Sequence, residues 1–293
     1  LVLIWVRLAS HCRPAWLRAA LHFWMLLVGV SVLTTYQHHF IDIPTGLAVG
    51  FALIWALPED EPSPLLGMSI ARDPRRRRFA TIYALGAVLF SALALLGGAW
   101  LWSLWVTLSL GVVAMNYLAI GEHGFQKTRQ GGMRIGSWGL LAPYFVGAWI
   151  NSRARNAWRP SSGVVVDGVS VGRILGRFDA ERAAFSAIVD LAAELSCTVT
   201  QGQHYVSIPV LDLTVPSSMQ LRAAVEAIEE ARQRGPVLVC CAVGLSRSAS
   251  AVVAWLVATR RASSVADAVE MVRKARPSLV VHPGLDEAVE AIR

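Results

Sequence analysis

Val237-Leu238-Val239-Cys240-Cys241-Ala242-Val243-Gly244-Leu245-Ser246-Arg247-Ser248 decides how this chain reads. Residues 237–241 make a short apolar strand, Gly244 supplies a tight turn, and residues 247–259 then carry apolar side chains at helical spacing. Strand, loop and helix in that order gather backbone N–H groups and a helix N-terminus around one anion. A cysteine ending the strand sits inside that ring, where the amides and the helix dipole stabilise its thiolate. Arg247 can hold two phosphoryl oxygens at once, which a lysine cannot do. The candidate nucleophile is therefore Cys241, and the candidate phosphate-binding residues are Ala242, Val243, Gly244, Leu245, Ser246 and Arg247. Ser248 can donate to the sulfur and ease its departure.

Thiolate attack on a phosphate monoester also requires a proton for the leaving oxygen. Asp212, in Ile208-Pro209-Val210-Leu211-Asp212-Leu213, follows an apolar strand and precedes a helix start, and is the candidate acid. After the ester oxygen leaves, the same carboxylate can act as base for the water that opens a cysteinyl-phosphate. Around this core, residues 164–166, 169–174, 198–199 and 205–210 read as strands. Residues 180–195 show helical spacing, and a helix over 217–234 opens with the capping box Ser217-x-x-Gln220.

The loop from Cys241 to Ser248, the upstream Asp212 and the later Arg276-Pro277 before a final helix resemble a dual-specificity, cysteine-dependent phosphatase domain over residues 161–293. That resemblance implies an α/β fold with a central sheet flanked by helices, and the phosphate-binding loop at a helix N-terminus. The family usually has His before its nucleophile, where this chain has Cys240. Neighbouring strand residues point to opposite faces, so Cys240 is expected to pack away from the site, and Cys197 reads as a core thiol. The four cysteines form neither a disulfide framework nor a zinc-type CxxC pair. A reducing compartment fits, and no metal or other cofactor is expected.

The preceding half has a different solvent. Residues 1–160 carry 14 Lys and Arg against 6 Asp and Glu, net +8, with ten of the 11 Trp; the remainder carries 13 against 14, net −1. The pI of about 9.7 comes from the first half, so it does not argue for nucleic acid. Apolar runs at 19–35, 40–57, 79–96 and 99–120 approach the roughly 20 residues of a bilayer crossing. The chain begins within a further apolar run, as if cut inside a helix. Basic linkers (Arg7, Arg13 and Arg18; Arg72 and Arg75 to Arg78; Lys127, Arg129 and Arg134) alternate with linkers lacking Lys and Arg, which places the basic ones in the cytosol. Residues 137–150, interrupted by Pro143, suggest an interfacial or re-entrant helix, and 151–160 a basic connector. The expected architecture is multi-domain: an α-helical transmembrane region over 1–135, an interfacial helix and linker over 136–160, and the α/β domain in the cytosol.

Ser31, His38 and Asp42, on the predicted outer side, are similar to the third motif of the type 2 phosphatidic acid phosphatases, in which the His attacks phosphate and the Asp orients it. Val32 replaces that motif's Arg, and the other two motifs are absent, so His38 and Asp42 make at most an incomplete second site; helix capping at a wet interface explains them equally well. With the spanning segments in front, the whole chain resembles bacterial membrane proteins that fuse such a region to a dual-specificity phosphatase, which implies a multi-pass protein of the bacterial inner membrane. Membrane attachment favours a phosphorylated lipid headgroup as substrate. The uncharged Ala242, Val243, Leu245 and Ser246 favour one phosphate over several. The alternatives are a tethered phosphatase acting on phosphoproteins and a phosphate-binding module without turnover.

Overall fold

Asp73, Pro74 and the arginines behind them show how local chemistry sets the helices in the computed structural model, which describes residues 2–34, 42–59, 61–179 and 184–292. The Asp73 carboxylate accepts from Arg75 N at 2.9 Å and Pro74 opens the helix, a cap of about 1 kcal/mol. Four arginines in a first turn oppose the helix dipole, so they serve something other than helix stability.

The chain begins with α1 (Val2–His11), α2 (Ala15–Thr34), α3 (Asp42–Ala56) and α4 (Pro74–Ala94). A 3-10 turn (Gly98–Trp102) leads into α5 (Ser103–Met115), which ends in a π-helical turn (Asn116–Ile120); α6 (Ile135–Asn156) follows. Among the described residues, three segments, 15–32, 74–94 and 98–120, are long and apolar enough to cross a membrane. The expected crossing at 40–57 is represented by α3, whose 15 described residues fall short of that length.

The helix expected at 137–150 is part of α6, 22 residues long, packed on α3 and α5 and hydrogen-bonded through Ser152 and Asn156 to the loop after β5. Pro143 does not break it. Proline cannot donate to the carbonyl of Gly139, and that carbonyl accepts from Trp105 Nε1 of α5 at 2.9 Å.

The α/β domain contains β1 (Ser162–Val166), β2 (Val169–Arg173), β3 (Ala187–Ala192), β4 (His204–Val210), α7 (Ser218–Arg232), β5 (Val237–Cys241), α8 (Arg247–Ala258), α9 (Val265–Ala275) and α10 (Leu285–Glu290). The sheet order is β1-β2-β5-β3-β4, parallel except for the β1 edge. The helix expected over 180–195 is corrected: 180–183 lie outside the described residues, and 187–192 are the buried strand β3. A parallel strand covered on both faces is a continuous apolar run, and its periodicity cannot separate it from a buried helix. The strand expected at 198–199 is also absent. There the backbone leaves the sheet, and Cys197 N donates to Gly131 O of the loop before α6.

The two halves share a core. Ala193 and Leu211 pack in one apolar cluster with Val113, Tyr117, Phe125, Leu140, Leu141 and Phe145. Lys127, expected in a cytosolic loop, is buried: its Nζ meets Asp190 Oδ2 of β3 at 2.5 Å and Ala192 O at 2.6 Å. Tyr205 Oη and Ala192 N complete the hydrogen bonding of that carboxylate at 2.9 and 2.8 Å.

Candidate active site

The loop after β5 is shaped by where its carbonyls go. Cys241 O accepts from Ile174 N, and Leu245 O from Val280 N, each at 2.8 Å. Ala242 O accepts from Ser152 Oγ at 2.5 Å, and Val243 O from Asn156 Nδ2 at 3.2 Å, both donors on α6. Arg276, at the end of α9, donates through Nε to Gly244 O at 3.1 Å and through Nη2 to Val243 O at 3.2 Å and Asn156 Oδ1 at 2.6 Å. With these carbonyls engaged by donors outside the loop, the loop N–H groups are left for an anion, the arrangement the sequence reading expects. Gly244 has no alternative residue: its φ is +74°, and a Cβ there would lie 2.2 Å from the Gly172 carbonyl carbon.

The Cys241 sulfur points into this ring. Gly244 N donates to Sγ at 3.3 Å, and Ser248 Oγ lies 3.4 Å away. Ser246 leaves the N-terminus of α8 without a side-chain cap, so its first amides remain available to a ligand. Cys240 faces the opposite apolar cluster, beside Cys197. The hydrogen bond with Cys197 and burial push the Cys240 thiol well above its ordinary value, which keeps it an unreactive thiol.

Arg247 is 1% exposed, and its five N–H groups can be accounted for one by one. The end-on pair goes to Glu194: Nη1 to Oε2 at 2.8 Å, and Nη2 to Oε1 at 2.6 Å. Nη1 also donates to Val210 O at 2.8 Å, and Nη2 meets Asp212 Oδ1 at 2.8 Å. Nε has no partner among the described residues, and neither has the buried Ser246 Oγ. The side-on edge, Nε with Nη2, is thus the edge a phosphate can take, with Asp212 stepping aside from Nη2.

Burial raises the Asp212 carboxyl, and although Arg247 pulls it down and Glu194 pushes it up, the net direction is upward. That favours the protonated form an acid needs. For Glu194 burial acts in the same sense, but the Arg247 charge and hydrogen bonds outweigh it and hold the carboxyl below its ordinary value. The Asp212 loop is fastened by Tyr117 of the π turn, whose Oη donates to Asp212 O at 3.0 Å, and by Thr214 Oγ1 on Leu211 O at 2.8 Å. Leu213 between them has φ +61°, a left-handed backbone costing roughly 1–3 kcal/mol that these contacts maintain.

The structure brings together Cys241, the loop 242–246, Arg247, Ser248 and Asp212. It adds Glu194, Arg276, Ser152, Asn156 and Tyr117, which sequence reasoning did not assign to the site. Glu194 left a signal: an acid inside the apolar run 187–195 is expected only when paired. His38 lies outside the described residues, and Asp42 is the first residue of α3.

Residues 177–290 match the family described as dual specificity phosphatase, catalytic domain. Among solved structures the chain is similar to a mutant form of Tk-PTP, with 30% identity over 45% of this chain and 94% of that chain and a TM-score of 0.41. It is also similar to human DUSP28, with 25% identity over 45% of this chain and 93% of that chain and a TM-score of 0.39. PTPMT1 in complex with PI(5)P gives 20% identity over 45% of this chain and 94% of that chain, with a TM-score of 0.41. No curated protein matches the chain.

Proposed function

We propose that the chain, whose residues 177–290 match the dual specificity phosphatase catalytic domain, is a membrane-anchored, cysteine-dependent enzyme that removes one phosphate from a phospholipid headgroup at the cytosolic face. The observation that carries this reading is the bond from Tyr117 Oη to Asp212 O: the acid of the catalytic domain is fastened to the end of a helix apolar enough to span a bilayer. Arg76 of the basic stretch donates to Tyr117 O at 3.1 Å, so the arginine-rich end of α4 lies at the same level. By the positive-inside rule that level is cytosolic.

In the mechanism, a phosphate enters the ring of loop amides and meets the side-on edge of Arg247. The Cys241 thiolate forms the S–P bond while the ester P–O bond breaks, and Asp212 gives its proton to the departing oxygen. Asp212, now a carboxylate, takes a proton from water as the water oxygen attacks phosphorus. The S–P bond breaks and Ser248 Oγ donates to the leaving sulfur. Glu194 keeps Arg247 in place throughout and touches no reacting atom.

The test is phosphate release by the full chain in phosphatidylcholine vesicles, from a phospholipid monoester and from phosphopeptides, with mass spectrometry of the lipids. Faster turnover of the lipid monoester supports the reading, and the Cys241→Ser chain must lose it. Preference for phosphopeptides contradicts it.

A further inference from the structure

Two apolar clefts flank α6 and both reach Glu194. One, of about 330 Å³, runs between Trp138 and Trp149 and does not include Asp212 or the phosphate loop. The other, of about 310 Å³, lies between α4, α5 and α6 and ends on Asp212 and Ala242. Its outer walls are Val106 and Leu110 of α5 and Pro143, Gly147 and Ala148 of α6, with Tyr83 and Tyr144 nearer the catalytic end.

The position of the acid says what this second cleft receives. Asp212 must protonate the oxygen that leaves with the organic part of the ester, so that part lies on the Asp212 side of the phosphorus. The space there is walled by Val106, Leu110, Pro143 and Ala148 and by the rings of Tyr83 and Tyr144, with Asn151 as a further polar group. It opens beside α4 and the segment 98–120 that contains α5, both apolar and long enough to span a bilayer. Along α6 the lining runs from Pro143 to Asn151, eight residues or about 12 Å of helix, room for a short stretch of acyl chain.

We infer that the cleft between α4, α5 and α6 is the acyl-chain subsite: a phospholipid monoester enters sideways from the cytosolic leaflet, and one chain lies along Val106, Leu110 and Gly147 while its phosphate occupies the Cys241 loop. This rests on the proposed lipid phosphatase activity and adds the route and the site of the chain. The neighbouring cleft lacks contact with Asp212 and takes no part.

Gly147 allows the inference to be tested. A Cβ at this position meets nothing within 4 Å, so Gly147→Leu puts a side chain into the cleft without displacing backbone, and leucine suits a helix better than glycine. The readout is kcat/KM of the full chain, in detergent, for monomeric lipid phosphate monoesters from acetyl to octanoyl. The wild type is expected to gain up to about fourfold per buried methylene. Gly147→Leu should flatten that gain, and Val146→Leu, on the wall of the other cleft, should keep it. If Gly147→Leu melts early, Leu110→Trp narrows the cleft from the opposite wall with the same expected flattening. A wild-type slope retained in these cleft variants overturns the inference alone, as does an equal loss in Val146→Leu. A wild type that prefers phosphopeptides to every lipid monoester overturns the proposed function with it.

Discussion

Arg247 and Glu194 meet end-on, two nitrogens to two oxygens at 2.8 and 2.6 Å, with side chains only 1% and 3% exposed. A guanidinium held this way cannot rotate. Its free edge is therefore aimed before substrate arrives, and the cost of ordering it is met by folding rather than by binding.

Replacing Glu194 by Gln keeps the volume and removes the charge that orients Arg247. Turnover of an aryl phosphate should fall about 10²-fold, the scale of a catalytic group displaced by an ångström, while Glu194→Asp recovers part of it. The pH dependence of stability follows the same pair. Because the folded Glu194 carboxyl lies below its ordinary value, its contribution is present above the ordinary carboxylate range and disappears as pH falls through the folded value. Urea melts across that acid range should show a steeper loss in the wild type than in Glu194→Gln, and parallel curves would remove the charge pair from the account.

Asp212→Asn should separate substrates by leaving group. An alkyl oxygen needs the proton and an aryl oxygen needs it far less, so alkyl phosphate hydrolysis should drop by about 10²-fold or more and aryl phosphate hydrolysis by less. With Asp212 raised by burial, the wild-type alkyl rate should decline as pH rises through that elevated value, because the acid is lost; the variant should lack this limb. Equal losses for both substrates would take the acid role away from Asp212.

Lys127→Met leaves Asp190 charged and buried without its partner. Breaking a buried pair from one side costs about 3–5 kcal/mol, so the full chain in detergent should unfold at clearly lower denaturant concentration. A double change, Lys127→Met with Asp190→Leu, should recover much of the loss. An unchanged single variant would mean that the two halves are not joined through this pair.

Cys240→Ser should keep most of the activity, because its side chain packs beside Cys197 on the far face of β5. Steady-state kinetics with an aryl phosphate checks this, and a loss as complete as that of Cys241→Ser would reassign the nucleophile.

The loop, its cysteine and its arginine were legible because phosphate binding imposes a local pattern: strand, glycine turn and helix start within twelve residues. The capping box at Ser217 was legible for the same reason, since both of its bonds close within four residues. What escaped is non-local. Glu194 sits in a run whose helical spacing hid a buried strand. Ser152 and Asn156 lie on a segment read as a linker, yet they hold Ala242 and Val243 from 90 and 87 residues away. Tyr117 reaches Asp212 across 95 residues, a contact that exists only because the helices and the α/β domain share one core. Composition separated an apolar, basic half from a more polar one, and for that reason it could not show them packed together.

The most direct measurement is the phosphorylated intermediate itself. The whole chain mixed with a phosphate monoester, quenched within one turnover and digested, should carry one phosphoryl group on the peptide containing Cys241, and none in Cys241→Ser. A phosphoryl group on any other side chain, or turnover that persists in Cys241→Ser, would contradict the account.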